Sequence, residues 1–202
     1  SRLRLCCFSA MTFALFSSPA VTGGGPRLAS WAFLQGQGVV LFAQLMVHYG
    51  GEYYDLAADR AHPAPSAYTG GSRVLVQQPE LVPICLEMAG AAAAASVGLA
   101  LALSGDLQQT VALMMILAAS QYSCPPLSWN HNGLGEAGAV LIQNVLLPLF
   151  AYSLQAEGFQ DVRQVSHRAL ELGMLLAVLK FALFLALNLA DVEGDRLGGE
   201  TT

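Results

Sequence analysis

The chain has 202 residues, 54% of them hydrophobic and only 11% charged, with a net charge of −5 and a mean hydropathy of +0.51. A soluble domain carries about 25% charged residues, so the composition points to an integral membrane protein, and the negative balance argues against a nucleic-acid partner. Four cysteines, Cys6, Cys7, Cys85 and Cys124, lie in or beside apolar runs without metal-binding spacing; they read as small buried residues rather than a disulfide framework.

In chain order, six apolar runs approach the ~20 residues that cross a bilayer. The first, Leu5 to Val21, has the short basic flank Arg2 and Arg4. A signal peptide would share that flank, but the length of the run and the spans after it favour a first transmembrane helix. Gly23-Gly24-Gly25-Pro26 breaks the chain before the second run, Leu28 to Tyr49. A polar loop, His62 to Gln78, precedes the third, Leu81 to Leu103, whose small-residue stretch Ala89 to Ala95 suits close helix approach in lipid. The fourth, Leu107 to Tyr122, is short and stops at Pro125-Pro126. The fifth, Ala137 to Leu154, is followed by a polar linker, Gln155 to Ser166, and the sixth runs from Ala169 to Ala190. The expected fold is all-α, a polytopic transmembrane helical bundle forming one domain over residues 1–202.

The second and sixth runs end alike. Glu52, Asp55 and Asp59 follow one; Asn188, Asp191 and Asp195 close the other, and each set continues into arginine, Arg60 and Arg196. On a helix each triplet falls within an arc of roughly 80°. Clustered carboxylates need a cation, and oxygen ligands suit a hard ion such as Mg2+, which shares ligands with phosphate oxygens. Two facing motifs therefore read as a metal–diphosphate site, against the plainer reading of solvated helix ends. Three spans separate the two runs, so they point the same way and both acidic ends emerge on one side. Arg2, Arg4, Arg60, Arg73 and Arg196 lie on that side, against Arg27, Arg163 and Arg168 on the other; this bias places the motifs on the cytoplasmic or matrix face. Lys180 is the only lysine, inside the sixth run, eleven residues before Asp191 and ~16 Å below it on the same helix face. An intramembrane lysine is a functional candidate; snorkelling, or pairing with a neighbour such as Glu87, is the alternative.

Gly51-Glu52-Tyr53-Tyr54-Asp55-x-x-x-Asp59 and Asp191-Val192-Glu193-Gly194-Asp195-Arg196, with Gly199 beyond, resemble the two acidic motifs of the UbiA superfamily of membrane prenyltransferases. Between them Gly71-Ser72-Arg73-Val74-Leu75 resembles the segment after the first motif. Tyr122-Ser123-Cys124-Pro125-Pro126-Leu127 and Gly133-Leu134-Gly135-Glu136 are similar to elements of the branch that prenylates dihydroxynaphthoate in quinone synthesis.

The resemblance implies a bundle of about nine spans around a central cavity, about six of them present in this length of chain. It implies Mg2+ held by Asp55, Asp59, Asp191 and Asp195, and an isoprenyl diphosphate whose ionisation the metal assists. An aromatic acceptor then attacks the cation in a dry cavity. Glu52 and Asn188 are implied substrate-side groups, and Arg73 and Lys180 diphosphate-side cations. Tyr122 is implied as a hydrogen-bond donor to the diphosphate or a cavity residue, an interfacial tyrosine being the plain alternative. The sequence departs from the pattern at Gly51, where asparagine is usual, at Ser128, where a basic residue is common, and at Glu200, where lysine is common. The chain stops seven residues after Asp195, which leads to the expectation of a C-terminally truncated copy. The expected function is transfer of an isoprenyl group to an aromatic acceptor, with the activity of the 202-residue form left open. A degenerate non-catalytic homologue and a membrane terpene cyclase are the alternatives.

Overall fold

The computed structural model describes residues 2–23, 30–61, 72–156 and 165–198; within them, the side chains of 2–5, 30, 184 and 187–198 are not described. The protein is 84% helix, and no strand occurs among the described residues. Helices α1 (Arg2–Phe16) and α2 (Pro19–Thr22) precede the long α3 (Ser30–Tyr54) and the short α4 (Leu56–Ala61) and α5 (Val74–Gln77). Then come α6 (Val82–Leu101), α7 (Asp106–Ser120), α8 (Gly135–Val140), a π-helical segment (Leu141–Leu146), α9 (Leu147–Gln155) and α10 (His167–Gly198).

Sequence explains the punctuation. Pro19 opens α2 at a position where its missing N–H costs nothing. Gly23, at φ 68°, closes it by donating its N–H to the Pro19 carbonyl, a left-handed cap that glycine adopts without a Cβ penalty. The expected first span, Leu5 to Val21, is therefore divided at Ser17-Ser18. The expected fifth span is one helical run, Gly135 to Gln155, widened in its middle to a π turn in which Leu147 N–H donates to Ile142 C=O. Pro148 follows at once. It has no N–H to return to the carbonyls one turn back, and its ring crowds them; a wider turn before it relieves both.

Two levels of contact fix the helix directions. At one end Ser166 Oγ donates to Val21 C=O at 2.9 Å, Gln35 Nε2 to Leu99 C=O at 3.2 Å and Gln108 Nε2 to Ser153 C=O at 2.9 Å. At the other, Cys85 Sγ meets Tyr49 C=O at 3.3 Å and His131 meets Asp55 at 3.0 Å. Helices α3 and α7 thus run one way, and α1, α6 and the α8–α9 run the other. Helix α10 leaves the Ser166 level, passes Phe16 and Asn144 at Gly173, and packs against α8 and α4.

Small residues make the closest seam. Cys85, Ala89, Ala92, Ser96 and Ala100 of α6 are buried, repeating every three or four residues as one helix face. That face lies along α3, where Ser96 Oγ donates to Val39 C=O at 2.9 Å. Gly36 does the same for α1 and α9: a Cβ there would sit 2.4 Å from Leu154 and 2.5 Å from Phe13. Phe13 in turn stacks obliquely on Phe33 and Phe150, with ring centroids 5.5 and 5.8 Å apart.

Among the described residues, two helical runs are long and apolar enough to cross a membrane, Pro79–Leu101 and Gly135–Gln155; Cys6–Phe16 is apolar but shorter. Only 28% of the Pro79–Leu101 window is buried inside the protein, unlike the core helix of a soluble domain. The outer faces of the other helices are apolar too, with Leu34 and Leu41 on α3, Leu117 on α7, and Met174, Leu175 and Val178 on α10 all exposed. The fourth expected span corresponds to α7, only fifteen residues long.

Candidate functional site

A cavity of about 350 Å³ lies between α3, α7 and the α8–α9 run. Its α3 wall is Val40, Ala43, Gln44, Val47, His48, Gly51 and Asp55, a spacing of three and four that keeps one helix face turned inward. That wall extends about 22 Å at 1.5 Å per residue. Met115 and Ala119 of α7 and Ala139, Ile142 and Leu147 of the third wall make the deep part apolar. Tyr122, Ser123, Asn130 and Asp55 crowd the end where α3 stops. The cavity is thus amphipathic along its length, polar at the mouth and largely apolar below.

Asp55 sits at the break between α3 and α4. Hydrogen bonding carries through the break, from Asp55 N–H to Gly51 C=O at 2.8 Å and from Asp59 N–H to Asp55 C=O at 2.9 Å. The Asp55 carboxylate turns to the cavity, with Oδ1 3.0 Å from His131 Nε2 and Oδ2 accepting from Ser123 Oγ at 3.5 Å. Glu52 and Asp59 are buried in the bundle and each is engaged there; neither lines the cavity. The Arg73 guanidinium donates to the Asp59 backbone carbonyl, which ties the segment after the first acidic motif back onto α4. Of the residues singled out in the sequence, Asp55 and Tyr122 are therefore brought to one cavity, while Arg73 is bound to the backbone of α4.

Lys180 is elsewhere. It is buried, with its ammonium 3.5 Å from the centroid of the Phe8 ring, a cation–π contact between α10 and α1. Asn188, Asp191 and Asp195 stand on the helical backbone of α10, but their side chains lie outside those described. Among the described residues no three His, Cys, Asp or Glu side chains converge as a metal site; the first motif contributes Asp55, paired with His131.

The loop that delivers His131 is built by its own backbone. Trp129 N–H donates to Gln121 C=O at 3.0 Å and Asn130 N–H to Tyr122 C=O at 2.8 Å. Asn132 Nδ2 donates to Leu127 C=O at 2.7 Å. The Pro125–Pro126 peptide is cis, and Ser128 and Gly133 take positive φ. Gly138 completes the seat: a Cβ there would lie 2.4 Å from the Trp129 ring, so only glycine lets the indole lie on α8. Beside the mouth, Tyr54 faces Cys124. The hydrogen bond with Cys124 first, and then burial, lift its phenol above the ordinary value of 10.0.

Sequence reasoning passed over His131, His48, Gln44 and Gln143. Gln44 and His48 carried a signal, two polar residues four apart inside an apolar run, facing one way. Gln44 Nε2 donates to Ser9 Oγ at 2.6 Å, bracing α3 on α1. Gln143 stands in the π segment, whose added residue shifts the helix face presented to the cavity; periodicity in sequence cannot show that. Comparison with protein families, curated proteins and solved structures found no match for the chain.

Proposed function

We propose that this chain is a membrane-embedded prenyltransferase domain of UbiA type, moving an isoprenyl group from its diphosphate to an aromatic acceptor. The observation that carries the reading is one cavity that gathers Asp55 from the first acidic motif with Tyr122 and Ser123 from the first inner element and Asn130 from the loop that follows it. Asp55 lies some seventy residues from the others in sequence, and Asp55, Tyr122 and Ser123 belong to the motifs on which the resemblance rests. An amphipathic cavity suits an amphipathic substrate: the charged head at the polar mouth, the hydrocarbon and the ring in the apolar part.

Mg2+ fits the described half of the donor set only as an ion shared with the second motif. Asp55 offers one carboxylate, and Asp191 and Asp195 on α10 are the proposed remainder; Asp59 is buried and does not line the cavity. Bound there, the metal supplies charge neutralisation for the departing diphosphate. The chain's own residues do the rest. Ser123 and His131 orient the Asp55 carboxylate, Tyr122 and Asn130 offer polar atoms at the mouth, and Arg73 holds α4 in register. Val40, Met115, Ile142 and Leu147 exclude water from the reacting centre. The apolar outer faces argue for a multi-pass bundle in the bilayer, with the acidic ends on the cytoplasmic or matrix face by the arginine bias.

The test is product formation in membranes carrying the protein expressed from its whole coding sequence, given a radiolabelled isoprenyl diphosphate and a dihydroxynaphthoate acceptor. Prenylated product is expected with Mg2+, none in excess EDTA, and a loss of about 100-fold or more for Asp55→Ala. The Asp55–His131 pairing favours a second reading, a non-catalytic homologue whose carboxylate has become structural. Absence of product from well-inserted protein, with unchanged isoprenyl diphosphate binding in Asp55→Ala, would select it.

A further inference from the structure

The π segment holds an unusual pair. Gln143 lines the cavity, yet its Oε1 is buried and accepts no hydrogen bond. Both polar side-chain atoms of the next residue, Asn144, are buried without a partner as well. Buried acceptors in folded proteins are nearly always satisfied, and an exception asks for an explanation in a ligand, ion or water. Of the other polar side chains on the cavity wall, Gln44 donates to Ser9 and Tyr122, at the mouth, is engaged; His48 is engaged as well, with its Nε2 buried and outside any hydrogen bond. Gln143 also sits eight residues along the helix from Gly135, which lies beside Tyr122 and Asn130 at the mouth. That is about 12 Å deeper, among Ile142 and Leu147, where little water competes.

We infer that Gln143 is a specificity-determining residue of this cavity, whose side-chain oxygen accepts a hydrogen bond from a ring hydroxyl of the bound aromatic compound. The inference deepens the proposed function and rests on its aromatic acceptor. It adds that the ring must carry a free hydroxyl, not an ether or a bare edge. A site built around an otherwise unsatisfied acceptor discriminates strongly, because an analogue without the donor leaves the acceptor buried and unpaired. The π geometry gives the selection its register: in a regular α-helix the residue at this position would turn about 100° for each residue of phase lost.

The experiment is binding rather than turnover. The protein from its whole coding sequence is placed in lipid nanodiscs, and 2-naphthol, 2-methoxynaphthalene and naphthalene are titrated calorimetrically, with empty nanodiscs subtracted. The wild type is expected to bind 2-naphthol at least about 10-fold more tightly than either analogue. Gln143→Met, similar in volume, and Gln143→Leu should bind all three alike, while Gln143→Glu should keep the preference for the hydroxyl. Equal binding of the three by the wild type, no measurable binding, or a preference that survives Gln143→Met would each overturn the inference. Because no prenyl group is transferred, its failure is separable from that of the proposed function. Turnover with an unselective Gln143 sinks only the inference, and selective binding without turnover sinks only the transferase reading.

Discussion

At the scale of single residues, the mouth of the cavity depends on one pairing. His131 and Asp55 come from opposite sides of the opening, each about a quarter exposed, and a hydrogen bond to a charged group in such a setting contributes about 1.5–3 kcal/mol. A double-mutant cycle of His131→Ala and Asp55→Ala, read by denaturant unfolding in detergent, should give a coupling of about 1 kcal/mol after solvent competition. Additivity within error would mean that the pair is an accident of proximity. Tyr54 provides a second check. Its phenol is raised above 10.0, chiefly by Cys124, so the folded state holds that proton at a pH where the unfolded chain releases it. The stability this contributes is complete below pH 10 and is lost as the pH climbs through the raised value. Absorbance titration at 295 nm, as the difference between wild type and Tyr54→Phe, should place this tyrosine above 10, and Cys124→Ala should bring it back down.

Elements matter through how closely their backbones approach. Gly138→Ala would drive a methyl into the Trp129 ring, and such overpacking costs typically 1–3 kcal/mol. The loop shares hydrogen bonds from Gln121 to Leu134, so a displaced indole should pull His131 from Asp55. A red-shifted Trp129 emission in Gly138→Ala, compared against a Trp31→Phe background, would report it; an unchanged spectrum would show that the seat tolerates the methyl. Much of this level was legible in sequence. Small residues from Ala89 to Ala95 announced a close seam, and the apolar runs located α6, α7 and the α8–α9 run to within two residues at each end, while α3 and α10 continue past the expected Tyr49 and Ala190. The helix break at Asp55 was not legible, since Glu52, Asp55 and Asp59 keep perfect helical spacing; what separates them is that two are drawn into the packed bundle and one is left at the opening. Nor was the π turn, because the apolar run reads alike in either helix and only Pro148 hints at it. Loop-borne His131 reached the site through a chain of backbone hydrogen bonds that no side-chain pattern encodes.

For the molecule as a whole, the proposed bundle in the bilayer would set its apolar outer faces against lipid. Carbonate washing at high pH should leave the protein in the membrane pellet, and its release into the supernatant would contradict a bundle that spans the bilayer. A further consequence concerns biogenesis. Helix α3 touches α1, α4, α6, α7 and α9, yet it carries Gln35, Gln37, Gln44 and His48, each unwelcome in lipid before its neighbours arrive. The partner that answers Gln35 is the carbonyl of Leu99, on α6, which a ribosome makes later and which is by itself apolar enough to insert. Helix α3 should therefore linger at the translocon, or re-enter from it, until α6 emerges and the two are handed to the bilayer as a hairpin. In a glycosylation-reporter assay, α3 alone should insert poorly and α3 through α6 efficiently, so that the helix at the centre of the finished protein waits for one made after it.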